Sequence, residues 1–246
     1  MSTMTRSKPS KQPVKIRRAP PIFEEARIVI RGVDWEIYDK LSDAVGERQH
    51  VRMAYDGKDL EIMTTSRIHE HYKDLFGLFV SEVATELGIP RTGGGQTTWK
   101  RRELLRGLDA DQCYEFRPEK LAAVAAAVKR RSKNIADYPN PDLAIEIDIS
   151  PPEVDRPGIY AALQVPELWR FDGEEVTIEQ LQDDGSYLKV KMSRFLPVKD
   201  IEIRRWIVEE DSSDQSAWCR RLRTWARRLA RRNPQPRRPR RQKRAE

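Results

Sequence analysis

The sequence is poor in the residues and segments that define several protein classes. Its two cysteines, Cys113 and Cys219, lie far apart, which does not suggest the disulfide framework of a small secreted protein. No apolar run approaches the roughly 18 residues needed to span a bilayer. The basic N-terminus lacks the apolar segment of a signal peptide. A reducing, cytoplasmic compartment is therefore the expectation.

Motifs for zinc and for nucleotide phosphates are missing as well. His69 and His71 are two apart on a predicted helix, so they do not face each other. No H-E-x-x-H motif is present, and the distant cysteines provide no zinc spacing. The glycine run at 93–95 lacks a following Gly-Lys-Ser/Thr, which favours a flexible turn over a phosphate-binding loop. Structural zinc is therefore not expected.

Charge is distributed unevenly along the 246 residues, whose net charge is +7. Residues 1–20 carry +6 and residues 217–246 carry +12, so the segment between them carries −11. The length suits one domain with appendages, predicted as a disordered basic arm at 1–21, a domain at 22–208, and a linker with a basic tail at 209–246. The tails, rather than the acidic body, have the charge to attract a polyanion.

Local patterns predict the elements at the centre of the chain. A β-hairpin is expected at 51–63 around Asp56-Gly57, and a helix at 67–87 between an N-cap at Ser66 and a stop at Gly88. The predicted buried stripe of that helix is Ile68, Tyr72, Leu75, Phe76, Phe79, Val83 and Leu87. Further helices are predicted at 34–45, 118–131 and 157–164, and further strands at 97–99, 112–116, 142–149, 167–171, 175–181 and 187–191.

The strand at 142–149 combines an apolar face with an acidic one. Glu146 and Asp148 stand on one face, about 6.7 Å apart at about 3.3 Å rise per residue. Two unit charges at that spacing repel by about 2.5 kcal/mol at an effective dielectric near 20. A metal ion, a cationic partner or a shifted pKa would offset this repulsion. The alternative is an edge strand whose polar face meets water. For Asp142, a role in a turn after Asn140-Pro141 and a role at a metal site both stay open.

The order helix, three strands, helix, strand, with acids on the second and third strands, resembles the core of PD-(D/E)xK nucleases. Within that superfamily the chain resembles the Uma-type restriction endonuclease family over about residues 33–208. The motifs that carry this resemblance lie at 64–72, 110–114, 141–150 and 159–170. It implies an α/β, restriction-endonuclease-like fold with an αβββαβ core and a central mixed sheet flanked by helices.

The resemblance implies two acidic metal ligands. Asp111 matches the first acidic position, with Ala110 in place of the usual proline, and Glu146 matches the second. The expected ion is Mg²⁺ or Mn²⁺, which suits carboxylate oxygens, and Asp148 is a third candidate ligand. Glu70 resembles an acid that the first helix of this superfamily contributes, although the predicted stripe places Glu70 on the opposite side of the helix.

The usual lysine two residues after the second acid is absent, because Asp148 stands there. The family places its cation in the following helix, and the matching residue is Arg156. Arginine stays charged, so it can position or stabilise a phosphate but cannot take a proton from water. Catalysis by Asp111, Glu146, Arg156 and Glu70 is therefore one hypothesis, and loss of turnover is its rival.

The expected function is a metal-dependent endonuclease that hydrolyses phosphodiester bonds, with DNA the expected substrate and RNA not excluded by the sequence. The alternative is a catalytically impaired nuclease-fold protein that binds nucleic acid or regulates. A third hypothesis is an interaction module whose tail binds an acidic protein. The sequence does not decide whether the chain forms a homodimer.

The tail predicts an amphipathic cationic helix. Trp218, Leu222, Trp225 and Leu229 follow at i, i+4, i+7 and i+11, with arginines on the other faces. The helix could dock on its own domain, bind nucleic acid, or bind an anionic membrane or an acidic partner. Because the composition changes at 211–214, deletion of residues 217–246 is expected to leave the fold intact.

Overall fold

The computed structural model describes residues 25–46 and 50–232. The predicted arm at 1–21 and the end of the tail lie outside these residues. The strands are β1 (Arg27–Ile30), β2 (Val51–Tyr55), β3 (Leu60–Thr64), β4 (Thr92–Gly93), β5 (Thr98–Arg101), β6 (Arg106–Asp109), β7 (Gln112–Glu115), β8 (Leu143–Ile147), β9 (Glu167–Phe171), β10 (Val176–Leu181) and β11 (Tyr187–Val190). The helices are α1 (Trp35–Val45), α2 (Arg67–Leu87), α3 (Pro118–Lys129), α4 (Arg156–Ala162), α5 (Asp200–Arg204) and α6 (Gln215–Arg232).

The long helix α2 forms as predicted, including both ends. The Ser66 side chain accepts a hydrogen bond from the His69 N–H, and Gly88 ends the helix at φ 66°, a conformation that favours glycine. The predicted stripe is wrong at its first position, because Ile68 is 41% exposed whereas His69 is fully buried. His69 and Phe76 are seven residues apart and share one face, so the buried face of the first turn centres one residue later than predicted.

A five-stranded antiparallel sheet has the order β1-β3-β2-β6-β5. The β2–β3 hairpin was predicted, whereas β1 and β6 were not. The predicted strand at 97–99 becomes β5, which pairs with β6 in this sheet and not in the central one. The close approach of α1 explains a glycine in β6, because a Cβ at Gly107 would collide with the Tyr38 hydroxyl.

The second sheet is mixed and has the order β11-β10-β9-β8-β7-β4. Strands β8 and β9 are parallel and are joined through α4, as a parallel pair requires a crossover. Helix α2 packs on the face that carries Leu143, Ile145 and Ile147. Helix α4 and the first sheet pack on the opposite face, against Ala144. The predicted α/β fold with a mixed sheet flanked by helices is confirmed.

Helix α6 is part of this packed body, which corrects the predicted boundary at residue 208. Trp218, Leu222 and Ala226 are fully buried in the core that α2 shares with the second sheet. The Trp218 Nε1–H donates a hydrogen bond to the Trp206 carbonyl oxygen at 3.0 Å. Because this face of α6 is buried, we expect deletion of residues 217–246 to destabilise the fold, contrary to the expectation from the sequence. The boundary was predicted too early because α6 is rich in arginine, which is the composition of a solvated tail, although one face of the helix is apolar.

No helix between residues 25 and 46 or 50 and 232 is long and apolar enough to cross a membrane.

Candidate active site

Two acidic residues face each other where β7 and β8 pair. Gln112 pairs with Ile145, so one further step in this antiparallel register places Asp111 opposite Glu146. The Ile147 N–H donates a hydrogen bond of 2.9 Å to Asp111 Oδ2. Both carboxylates are buried. Directly opposed side chains on adjacent strands have Cβ atoms about 5 Å apart, so the two carboxyl groups interact.

Glu146 is the member of the pair whose protonated form is favoured. Burial and the nearby charge of Asp111 raise the pKa of Glu146 to about 8, against the lowering effect of Arg156. Arg156 Nη1 donates to Glu146 Oε2 at 2.8 Å, and the Tyr160 hydroxyl donates to Oε1. Both oxygens are therefore oriented by residues of α4.

Asp111 is the member whose ionised form is favoured. His69 Nε2 lies 3.2 Å from Asp111 Oδ2, and Arg52 Nε lies 3.3 Å from Oδ1. Burial opposes ionisation, but these cations outweigh it and hold the pKa of Asp111 below its usual value. Burial likewise opposes the charge on His69, but Asp111 and Glu70 raise the pKa of the imidazole to about 9. The environment thus drives the pKa values of Asp111 and Glu146 apart.

Arg156 is a buried cation shared by three acids. Besides Glu146, its guanidinium contacts Glu61 through Nη2 at 2.7 Å and Asp148 through Nη1 at 3.5 Å. Arg27 also pairs with Glu61, at 2.5 Å. Arg156 is thus placed beside the second acidic position, as predicted. Its Nη1 contacts Glu146 in the second sheet, and its Nη2 contacts Glu61 in the first.

The other predicted site residues lie at the margin of this cluster. Asp148 Oδ2 accepts a hydrogen bond from Arg170 Nε at 2.9 Å, while the buried Oδ1 accepts none. Glu70 lies 3.5 Å from both Arg52 and His69. It is thus linked to Asp111 through two cations, although the helical pattern had placed it on the far side of α2.

Four residues of the cluster were missed from the sequence, namely Arg52, Glu61, His69 and Tyr160. Arg52 and Glu61 had a readable signal, since each is a charged residue in an otherwise apolar strand of the predicted hairpin. The spacing of His69 and His71 excludes a helical metal pair and indicates no other role for His69. Its contact with Asp111 joins α2 to the second sheet and leaves no local signal in the sequence.

The chemistry of the acidic pair fits a hard divalent cation. Mg²⁺ commonly keeps several waters and takes only one or two protein carboxylates, a number that Asp111 and Glu146 provide. Besides burial, repulsion from Asp111 raises the pKa of Glu146, and such a cation would relieve that repulsion. No group of three or more His, Cys, Asp or Glu side chains placed for metal binding occurs in residues 25–46 and 50–232.

The fold and the paired acids define an α/β domain of the restriction-endonuclease-like class. The sequence profile of the Uma2 family, described as "Putative restriction endonuclease", matches residues 35–203. This match covers more than half of the chain, so the chain belongs to that family. A comparison with curated proteins finds no match.

Proposed function

We propose that the chain is a metal-dependent endonuclease that hydrolyses phosphodiester bonds in DNA. One observation carries the proposal, namely the opposed acids Asp111 and Glu146 with Arg156 hydrogen-bonded to one of them. Membership in a family of restriction endonucleases supports a nuclease and, with it, a nucleic-acid substrate.

Asp111 and Glu146 would hold the Mg²⁺ or Mn²⁺ ion. A bound divalent cation lowers the pKa of a coordinated water and neutralises charge on a phosphate. The protein's own residues prepare this site. Arg52 and His69 keep Asp111 ionised, while Tyr160 fixes Glu146 Oε1.

Arg156 would position the substrate and stabilise charge on it. Its guanidinium already spans Glu146 and Glu61, and its pKa is raised because the surrounding carboxylates outweigh the effect of burial. A permanently charged fork suits a phosphate oxygen as well as it suits a carboxylate. Arg156 stays charged and therefore cannot act as the general base, a role that is left to a carboxylate or to solvent.

Cleavage of supercoiled plasmid in Mg²⁺, Mn²⁺ or EDTA tests the proposal. We expect the parent chain to nick plasmid only with a divalent ion, and both Asp111→Asn and Glu146→Gln to lose the activity. Asp183→Asn is the matched control, because Asp183 is exposed in the β10–β11 turn. Equal cleavage by the parent and by Glu146→Gln would refute the proposal.

A nucleic-acid-binding protein without turnover is the second candidate. It is favoured by the burial of Asp111, Glu146 and Arg156, and by the arginine and tyrosine that already satisfy Glu146. A plasmid bound but never cleaved, together with no Mn²⁺ binding in a metal titration, would select this candidate. Binding of Mn²⁺ that is lost in Asp111→Asn would select the nuclease.

A further inference from the structure

The arginines of α6 fall into two sets with different surroundings. Arg223 and Arg227 face α2, where Arg223 Nη2 pairs with Glu82 at 2.7 Å and Arg227 Nε pairs with Glu86 at 2.8 Å. Each makes a second bond to the same carboxylate. These two arginines are therefore neutralised within the fold.

The second set faces solvent. At 100° per residue, Arg220, Arg221, Arg228 and Arg231 fall within an arc of about 100° on the side away from Trp218 and Leu222. Arg220, Arg228 and Arg231 form no ion pair with any residue in the described part of the chain, and Arg221 approaches Glu210 only at 3.7 Å. Arg221 also donates a hydrogen bond to the Asp211 carbonyl oxygen, so the unpaired charge of this face comes from the other three arginines.

A groove runs between this face and the π-helical segment Arg205–Glu209. Its volume is about 590 Å³, and the charged residues that line it are Arg205, Glu210, Arg220, Arg221 and Arg228. The Arg205 guanidinium lies 5.4 Å from the centroid of the Trp206 ring and 5.9 Å from that of Trp225. Its Nε is buried without a hydrogen bond, 3.9 Å from Glu210. We call this feature the α6 groove.

We propose that the α6 groove is a second nucleic-acid contact, which binds backbone phosphates away from the acidic pair. Guanidinium groups bind phosphate oxygens through two parallel hydrogen bonds, and the rings under Arg205 restrict its orientation. A lipid bilayer fits less well, because an interfacial helix inserts its apolar face. In α6 that face is already buried against α2.

The groove lies beyond the acidic pair along α2. Asp74 of α2 bonds to Gln215 of α6, and Glu82 of α2 bonds to Arg223 of α6. Both pairs are 141 residues apart in sequence, so the two helices run parallel in a constant register. Arg220 is thus level with Phe79, nine residues and about 14 Å along the axis from Glu70. A contact at that distance contributes binding rather than chemistry. The identity of the ligand as nucleic acid rests on the proposed function.

Fluorescence anisotropy of a labelled DNA duplex at several salt concentrations tests the groove in the full chain. Arg220→Gln/Arg228→Gln removes two free charges, and Arg223→Gln/Arg227→Gln removes two neutralised ones. We expect the first variant to bind more weakly and to lose about 1.8 from the log–log salt slope, at about 0.9 per phosphate contact. The second variant has the same net charge as the first, but it should keep the salt slope of the parent because its two arginines are already paired with Glu82 and Glu86.

Equal slopes for the two double variants would overturn the proposal, because net charge alone would then explain the binding. Binding to vesicles of anionic phospholipid, with no binding to DNA, would overturn it in favour of a membrane surface. The test does not depend on turnover. Loss of cleavage in Glu146→Gln with unchanged DNA affinity tests the proposed function, whereas the groove variants change affinity and should leave single-turnover cleavage at saturating protein unchanged.

Discussion

Replacement of Arg156 by alanine is the sharpest test of the electrostatics of the candidate active site. Arg156 is 4% exposed and pairs with Glu61 at 2.7 Å and with Glu146 at 2.8 Å. Removing one partner of a buried ion pair costs about 3–5 kcal/mol, because the remaining charge is left uncompensated. In a domain of this size about 1 kcal/mol corresponds to about 2–4 °C in Tm, so we expect a fall of about 6–20 °C.

The loss in Arg156→Ala should depend on pH. Arg156 lowers the pKa of Glu146, which burial and Asp111 still raise to about 8, so the substitution should raise that pKa further. A carboxyl group with a raised pKa in the folded state binds its proton more tightly there than in the unfolded chain. Stability therefore falls as pH rises from about 4.5, the ordinary pKa, through the folded value. The deficit should be larger at pH 9 than at pH 6.

Thermal unfolding followed by circular dichroism, in EDTA and in Mg²⁺, measures this effect. Arg102→Ala is the matched control, because Arg102 and its partner Glu36 are both exposed, so the loss of this pair should cost about 1 kcal/mol or less. Mg²⁺ should raise the Tm of Arg156→Ala more than that of the parent if the carboxylates accept a cation. A deficit below about 1 kcal/mol at pH 9 would refute the idea that Arg156 holds the cluster together.

Three further predictions test the core and the site. Trp218→Ala should cost about 3–5 kcal/mol in urea unfolding, whereas Arg220→Ala on the same helix should stay within about 0.5 kcal/mol of the parent. Burial and Asp142 raise the pKa of Glu115 to about 7. In urea unfolding, the free energy of unfolding of the parent should therefore fall by about 3 kcal/mol between pH 4.5 and pH 7, and Glu115→Gln should not show this fall. Arg156→Lys should preserve or raise plasmid cleavage, and its loss would show that both arms of the guanidinium are needed.

The elements predicted correctly are those whose signals lie within a few residues. The hairpin has Asp56-Gly57 at its turn, and α2 has Ser66 and Gly88 at its ends, so local chemistry alone fixes their positions. Strands β1 and β6 are four residues long and form only because a neighbouring strand supplies hydrogen bonds. Neither strand has a turn signal and an alternating pattern of its own strong enough to be recognised in a single sequence.

Asp111 and Glu146 come from the resemblance, whose motifs run in the same order as the strands, and their roles stay a prediction. Their partners could not be predicted, because Arg52 and Glu61 belong to the first sheet while Glu146 belongs to the second. Which charge on one sheet meets which charge on the other depends on how the sheets pack. That packing involves residues far apart in sequence and is not encoded in any local pattern.

The first sheet therefore does more than complete the fold. Through Arg52 it adds to the effect of His69 in keeping Asp111 ionised, and through Glu61 it binds one arm of the Arg156 guanidinium. Glu61 thus limits how far one cation can neutralise the acids of the second sheet. Burial and the charge of Asp111 together raise the pKa of Glu146 despite Arg156, and a divalent ion held by the two carboxylates would relieve the repulsion between them.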